Sequence, residues 1–443
     1  MGQAKDSSQS SHNMKWWQLS LFGVGCTIGT GFFLGTSLGI QLGGPAMLLA
    51  IIIAGIATYI VFDALANLTA DHPEKGAFRT YAKQAYGQWA GFSIGWMYWF
   101  SEILIMGSQL TALSIFSRFW FSHIPLWVFA AGYAVLGIIV LLVGSKALSR
   151  LENIFAVMKL AAILMFIVIA ALYVFGFFSG VGELNTPQSI GDFFPTGWTG
   201  FWAALIFAFY AFGGIEIMGL MAIQLKDPKE APKSGKVMIL TLVIIYVISL
   251  GLALLLVPWN DFTADESPFV VALGDFNMDF IPHLFNGAII IAGFSTMVAS
   301  FYGVTTILVS LAEDGDAPKV FAKQGKLAIP LPALGILIIG LIASIILSLA
   351  LPEKIYTYIT TGAGLMLLYN WSFIIMSAQK LRDPAIKDRV KYMTGIVLIL
   401  AGVSGTISDK TNRPGFFISI GILVVIGIVV LFMRRKWKKN DKH

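Results

Sequence analysis

Long apolar runs recur along the whole chain, and short charged punctuation separates them. A helix that crosses the hydrocarbon core of a bilayer needs about 20 apolar residues. On that measure the pattern predicts twelve membrane-spanning helices, at residues 16–39, 45–70, 86–118, 126–143, 153–178, 198–224, 237–257, 286–311, 331–350, 355–378, 392–408 and 415–433. The expected fold class is an all-α membrane protein. By position the chain divides into a short N-terminal tail (1–15), a five-helix unit (16–178), a second five-helix unit (198–378), two additional helices (392–433) and a basic tail (434–443).

Two of these spans carry an interruption. In the first, Gly23, Gly25, Gly29 and Gly31 fall within nine residues, and each glycine costs a helix about 1 kcal/mol against alanine. A helix that breaks at mid-membrane depth leaves N–H and C=O groups that are tolerated only where they line a cavity or bind something. A half-helix starting at Thr30-Gly31 would point free N–H groups and a positive dipole end into the gap, which suits a carboxylate. The carbonyls before the break suit an ammonium group, so one broken helix can grip both ends of an amino-acid zwitterion. The alternative is that the glycines only let another helix pack closely, and the stretch alone fits either reading. The second interruption decides between them. Phe209-Tyr210-Ala211-Phe212-Gly213-Gly214-Ile215-Glu216 sits five spans later, in the sixth span. Interrupted segments at matching positions in two halves point to a mid-membrane transport site between inverted repeats.

Composition narrows the function classes. The chain is 57% apolar and 12% charged, which leaves no polar stretch for a soluble domain. The N-terminus lacks the features of a signal peptide, so the first apolar segment is expected to be retained. Of the 30 Lys and Arg residues, 25 fall on the side of the twelve-span arrangement that holds both termini and four on the other. The positive-inside rule then predicts both termini in the cytoplasm, and the net charge of +6 needs no nucleic acid to explain it. The single cysteine, Cys26, excludes an intrachain disulfide framework. No metal-ligand cluster, nucleophile elbow or phosphate loop is present, so neither an enzyme nor a cofactor or metal site is expected. The acids of the stretch Ala312-Glu313-Asp314-Gly315-Asp316-Ala317-Pro318 read as a solvated face, and the basic tail as an anchor.

The residues also carry a family resemblance. Gly25-x-x-Ile28-Gly29-x-Gly31-x-Phe33 is similar to the first-helix motif of the amino acid–polyamine–organocation superfamily. Pro73-x-x-Gly76-x-Phe78-x-x-Tyr81, Gly95-Trp96-x-Tyr98-Trp99, Phe212-Gly213-Gly214-Ile215-Glu216, Ser267-Pro268-Phe269 and Ala312-x-Asp314-Gly315-x-Ala317-Pro318 follow in family order. The set most resembles the bacterial amino-acid permease branch. The resemblance implies a leucine-transporter-like fold, two inverted five-helix repeats plus two C-terminal helices. It implies that N–H groups near Gly29, Thr30 and Gly31 hold the substrate carboxylate, and that carbonyls near Thr27, Tyr210 and Gly213 hold the amino group. Tyr210, with Phe209 and Phe212, would form an aromatic lid, and Ile28 and Gly214 complete the expected site. The chain departs from the branch at Asn67, Gln109 and Gln224, where Glu is common, and at Thr306, where Arg is common.

Charged residues at membrane depth are functional candidates by default. Lys159 is the foremost, and the resemblance implies that its amine stands where sodium-coupled relatives of the fold hold Na⁺. Its expected partners are the carbonyls of Gly25 and Ile28 and the hydroxyls of Ser295 or Thr296. On that reading Lys159 exchanges a proton in each cycle; the alternative is a permanently charged structural lysine. Glu216 reads as a proton-coupling group or as a hydrogen-bond acceptor for the broken backbone. Glu102 and Asp63 match no site motif; Glu102 reads as an interhelical hydrogen bond or a substrate contact, and Met106 as packing or a contact with the substrate side chain. The sequence therefore predicts a secondary active transporter in the bacterial inner membrane, importing amino acids, with neutral L-amino acids the first expectation, by proton symport and alternating access. An exchanger of the same fold is the alternative, and a channel or a nutrient sensor fits less well.

Overall fold

The computed structural model describes residues 14–440 apart from 75, 144, 178–183, 275–279, 324–329 and 351–353; within 143–153, 347–350 and 438–440, and at 223 and 355, it describes the backbone alone. The expected N-terminal tail up to Asn13, Lys75 and the side chain of Glu152 lie outside the described residues.

The described residues are helical almost throughout. In chain order the helices are α1 (Trp16–Thr27), α2 (Thr36–Gly43), α3 (Met47–Asp71), α4 (Ala77–Tyr86), α5 (Gln88–Arg118), α6 (Leu126–Val143), α7 (Ser145–Val174), α8 (Ile190–Phe193), α9 (Gly197–Tyr210), α10 (Ile215–Met221), α11 (Ala231–Leu256), α12 (Pro268–Gly274), α13 (Phe280–Glu313), α14 (Leu331–Ala350), α15 (Ile355–Leu381), α16 (Ile386–Ser408) and α17 (Arg413–Asn440). Nine described helical stretches are long and apolar enough to cross a membrane, and Leu126–Leu142 and Leu331–Ile346 are shorter apolar helices. One of the nine, Gly31–Asp71, runs through α2 and α3 and so covers the second half of the first expected span and all of the second.

Both interruptions are present. α1 stops at Thr27, Ile28 is extended at φ −71° and ψ 104°, and the chain re-enters helix through a π-helical turn at Gly31–Gly35 that leads into α2. α9 stops at Tyr210 and α10 begins after Gly214, whose φ of +104° is a left-handed conformation that favours glycine. The third expected span, 86–118, is one long helix, α5, preceded by a separate amphipathic helix, α4. Gly87, at φ +90°, turns the chain between them. The basic tail is not a separate segment, because α17 continues to Asn440.

α1 packs between α7 and α11 and also touches α13, while α5 packs against α13 and α15, and α9 against α2, α3 and α16. The broken helices are thus held in the middle of the bundle. α17 lies at its edge, with Val424, Val425, Leu431 and Phe432 exposed. Such an apolar outer face suits a lipid solvent.

One end of the bundle is tied by ion pairs. Arg79 of α4 is buried and meets Asp316 at 2.7 Å and Asp314 at 2.9 Å. The side chain of Gln88 and the indole N–H of Trp96 donate to Asp316 at 2.8 and 3.3 Å. Asp63, two turns before the end of α3, pairs with Lys391 at 2.5 Å, and Asp71, its last residue, with Arg382 at 2.6 Å. The solvated face expected for the 312–318 acids is therefore corrected at Asp316, which is 3% exposed. Burial pushes its carboxyl above the ordinary range, and Gln88 and Arg79 pull it back. At this same end Met14 forms a parallel bridge to Leu225, with N–H donated to Gln224 at 3.1 Å and C=O accepting from Lys226 at 2.9 Å. The chain ahead of α1 is thereby stitched to the segment that follows α10.

Candidate substrate site at two helix breaks

The two breaks face one another. A Cβ built on Gly31 would lie 3.0 Å from the carbonyl oxygen of Tyr210 and 3.1 Å from its ring, and one on Gly214 would lie 3.2 Å from the carbonyl oxygen of Cys26. Each break thus presents glycine to the backbone of the other, a closeness that side chains would prevent. The space between them is a cavity of about 40 Å³. Its walls include Thr27, Gly29, Thr30 and Gly31 from the first break and Tyr210, Gly213 and Gly214 from the second. At about 30 Å³ per water in the liquid, this has room for little more than one water, so a whole amino acid requires the breaks to move apart.

The donor and acceptor sets are of the kind a zwitterion needs. The bend at Ile28–Gly29 removes the preceding turn, so the N–H groups that open the second half-helix lack the intrahelical carbonyls that later residues use. Phe32 and Phe33 are the first to regain one, both donating to the Gly29 carbonyl at 3.0 Å. The Tyr210 hydroxyl shares a 2.5 Å hydrogen bond with Ser108 Oγ of α5. Three buried oxygens on the cavity wall that can accept, Thr30 Oγ1, Glu102 Oε2 and Gln109 Oε1, have no hydrogen-bond partner among the described residues. Buried polar atoms are nearly always paired in the absence of a ligand, so three such atoms around one cavity mark it as a place for donors.

Other expected residues take different positions. Phe212 is fully buried and does not line the cavity; its ring packs on Tyr246 at 5.2 Å between centroids. Phe209 packs edge-on to Trp371 at 6.2 Å. The aromatic lid therefore reduces to Tyr210. Ile28 is buried in the core behind the break. Glu216 accepts from the N–H of Gly214 at 3.1 Å and from the indole N–H of Trp371, so it caps the second break and does not line the cavity. Lys159, 1% exposed, donates from Nζ to the Gly25 carbonyl at 2.7 Å. It therefore braces the first break from behind. The Thr296 hydroxyl lines the cavity and donates to the Gly293 carbonyl at 2.9 Å, beside Gly29. Ser295 is buried next to it on α13.

Glu102, Ser108, Gln109 and Ser300 were not singled out as site residues by sequence reasoning. Three of them lie on α5, with Glu102 and Gln109 seven residues apart on one helical face. That spacing is visible in the sequence; which face of α5 meets the breaks is not. Cys26 is a buried thiol, outside any disulfide, on the cavity wall.

Broken helices meeting at a polar cavity inside an apolar bundle define a membrane transporter. The chain belongs to the amino acid permease family, whose model matches residues 18–443. It is 55% identical over 444 residues to the uncharacterized transporter YcgH of Bacillus subtilis, covering 100% of this chain and 99% of that one. It is 33% identical to the aromatic amino acid transport protein AroP of Corynebacterium glutamicum (97% of this chain, 96% of that one) and 29% identical to AroP of Escherichia coli K12 (98% of each). Among solved structures, a manganese transporter mutant of Eremococcus coleocola matches with a TM-score of 0.56 at 13% identity, over 99% of this chain and 97% of that one. That likeness shows the fold. The protein is a multi-pass membrane protein and an amino acid transporter. Among the described residues no group of three His, Cys, Asp or Glu could hold a metal ion.

Proposed function

We propose that this protein imports neutral L-amino acids by proton symport and alternating access. The facing pair of helix breaks supports this reading most directly, because it supplies N–H groups, carbonyls and a small polar cavity at one point. In the proposed pose the substrate carboxylate sits at the start of the second half-helix, Gly29 to Gly31. The ammonium group sits among the carbonyls of Thr27, Tyr210 and Gly213. Glu102 and Gln109 receive donors from the substrate. The aromatic substrates in the names of two relatives make phenylalanine, tyrosine and tryptophan the first compounds to test.

The proposed membrane arrangement has twelve crossings: the nine long apolar stretches, with Gly31–Asp71 counted as two and the two shorter helices added. The breaks in the first helix of each five-helix unit support an inverted repeat, 16–178 against 198–378. The lysine and arginine bias puts both termini in the cytoplasm. Proton coupling is assigned to Lys159, whose ammonium holds the Gly25 carbonyl. Losing its proton removes the charge from that contact and loosens the first break, which links protonation to site geometry.

The test is uptake into proteoliposomes under an imposed inward proton gradient, compared with counterflow in its absence. Symport requires accumulation that follows the pH gradient without Na⁺. Counterflow alone, with no gradient-driven accumulation, would instead assign an exchanger.

A further inference from the structure

A large groove outside the substrate site lies at the ion-paired end, between α5, α17 and the loop that follows α13. Its volume is about 610 Å³. Phe92, Trp96 and Phe100 line it from α5 at four-residue spacing, and Ile426, Val429 and Met433 face them from α17. The α17 side runs from Val425 to Lys436, which at 1.5 Å per residue is about 16 Å. Half of a hydrocarbon core of about 30 Å is about 15 Å, so the groove is one leaflet deep.

Its apolar length ends in cations. Lys319 and Lys436 stand at the rim, neither in an ion pair among the described residues. Arg434 and Arg435 are exposed on the adjoining turn of α17. Asp316 also lines the groove, but its carboxylate is already engaged by Arg79 and Gln88. The unpaired charge at the mouth is therefore positive. An apolar channel one leaflet long with a cationic mouth is complementary to a single molecule that carries an acyl chain and an anionic headgroup.

We propose that this groove binds one anionic phospholipid, its chain along α5 and α17 and its headgroup between Lys319 and Lys436. The site also touches the closed end of the transporter. The loop 315–318 that floors the groove carries Asp316, the partner of Arg79, and Trp96 on the groove wall donates to the Asp316 carbonyl. A headgroup at the mouth holds that loop against α4 and α5, so the lipid favours the conformation in which this end is tied shut. The proposal does not depend on which amino acid is carried.

The test uses the whole purified protein in detergent, with phosphatidylglycerol, phosphatidylcholine or free glycerol phosphate added, read by native mass spectrometry and thermal shift. Wild type is expected to retain one phosphatidylglycerol and to gain more in Tm from it than from phosphatidylcholine, with no gain from glycerol phosphate. Val429→Trp, which fills the groove, should lose the bound lipid. The double variant Lys319→Glu/Lys436→Glu should no longer distinguish the two lipids. Monodispersity by gel filtration and an unchanged thermal shift with amino acid show that both variants are folded. Equal gains from both lipids in wild type, or lipid retained by Val429→Trp, would overturn the proposal. So would an anion preference that survives in the double variant. A dimer that Val429→Trp dissociates, with no lipid bound, would assign the groove to a second copy of the chain and also overturn it.

Discussion

Lys159 makes the clearest case for how one residue can serve the whole cycle. A lysine at the centre of a membrane helix costs about 2.5–3.5 kcal/mol on insertion scales, and here its ammonium is bonded to the Gly25 carbonyl of the broken helix. Lys159→Ala removes the exchangeable proton, so gradient-driven uptake should collapse and Na⁺ should not restore it. Substrate binding should survive, since the proposed zwitterion contacts lie elsewhere. Lys159→Arg should fail as well, because a guanidinium does not deprotonate in a protein; an Arg variant that still concentrates substrate on a pH gradient contradicts the proton role. Cys26 offers an independent probe, since it lies on the cavity wall. Its reaction with a small thiol reagent should be slowed severalfold by bound substrate, and equal rates with and without substrate would remove it from the site. Lys159 and Cys26 were both legible in the sequence, because a charge or a thiol in an apolar run stands out. Glu102 was visible but could not be assigned. Its role depends on the rotation of α5 about its axis, which tertiary packing sets and no local pattern encodes.

At the scale of the element, the breaks are fixed by glycine, and glycine reads directly from sequence. Gly214 at φ +104° lies 3.2 Å, through a built Cβ, from the Cys26 carbonyl. Alanine there meets both a steric contact and a backbone conformation costing about 1–3 kcal/mol. Gly214→Ala should lower Tm by a few degrees and abolish uptake, and a fully active variant would mean the second break does not need its left-handed turn. The aromatic neighbours were less legible. Phe212 and Phe209 follow the same run as Tyr210, yet α9 and its turn point only Tyr210 into the cavity, and the other two fill the core against Tyr246 and Trp371. The helix α4 (Ala77–Tyr86) fell between two expected spans, 45–70 and 86–118, because its polar face breaks the apolar pattern by which spans are read.

The whole molecule is described by a small cavity in its middle and a tied end. The breaks enclose about 40 Å³, and ion pairs of Arg79, Arg382 and Lys391 link α3, α4, α15, α16 and the loop after α13 at one end. On the proposed alternating access this is the form expected of a transporter closed around its site, with substrate passing when the tied end separates. Asp316→Asn removes the charged partner of a buried arginine. Arg79 then keeps only the half-exposed Asp314 at 2.9 Å, so the cost is a part of the ~3–5 kcal/mol lost when a buried charge has no partner at all. The closed form is therefore disfavoured: a cysteine placed at Ser310, which borders Arg79, should react faster with an impermeant thiol reagent from that side in the Asp316→Asn background. Unchanged labelling would mean this end is held by other contacts. This tie was not legible beforehand, since Arg79 and Asp316 are 237 residues apart and each looks like ordinary loop charge.

The facing breaks are proposed to hold both ends of an amino-acid zwitterion. The most direct measurement is a thermal-shift and calorimetric comparison of phenylalanine with its decarboxylated and its deaminated analogues, on wild type and on Gly31→Val. In Gly31→Val a branched side chain enters where a Cβ already lies 3.0 Å from the Tyr210 carbonyl. The account predicts that wild type binds phenylalanine, or another neutral L-amino acid in its place, and loses at least tenfold in affinity when either end group is removed. It predicts that folded Gly31→Val binds none of them. Equal binding of an analogue that lacks its carboxylate, or unchanged binding by Gly31→Val, would contradict it.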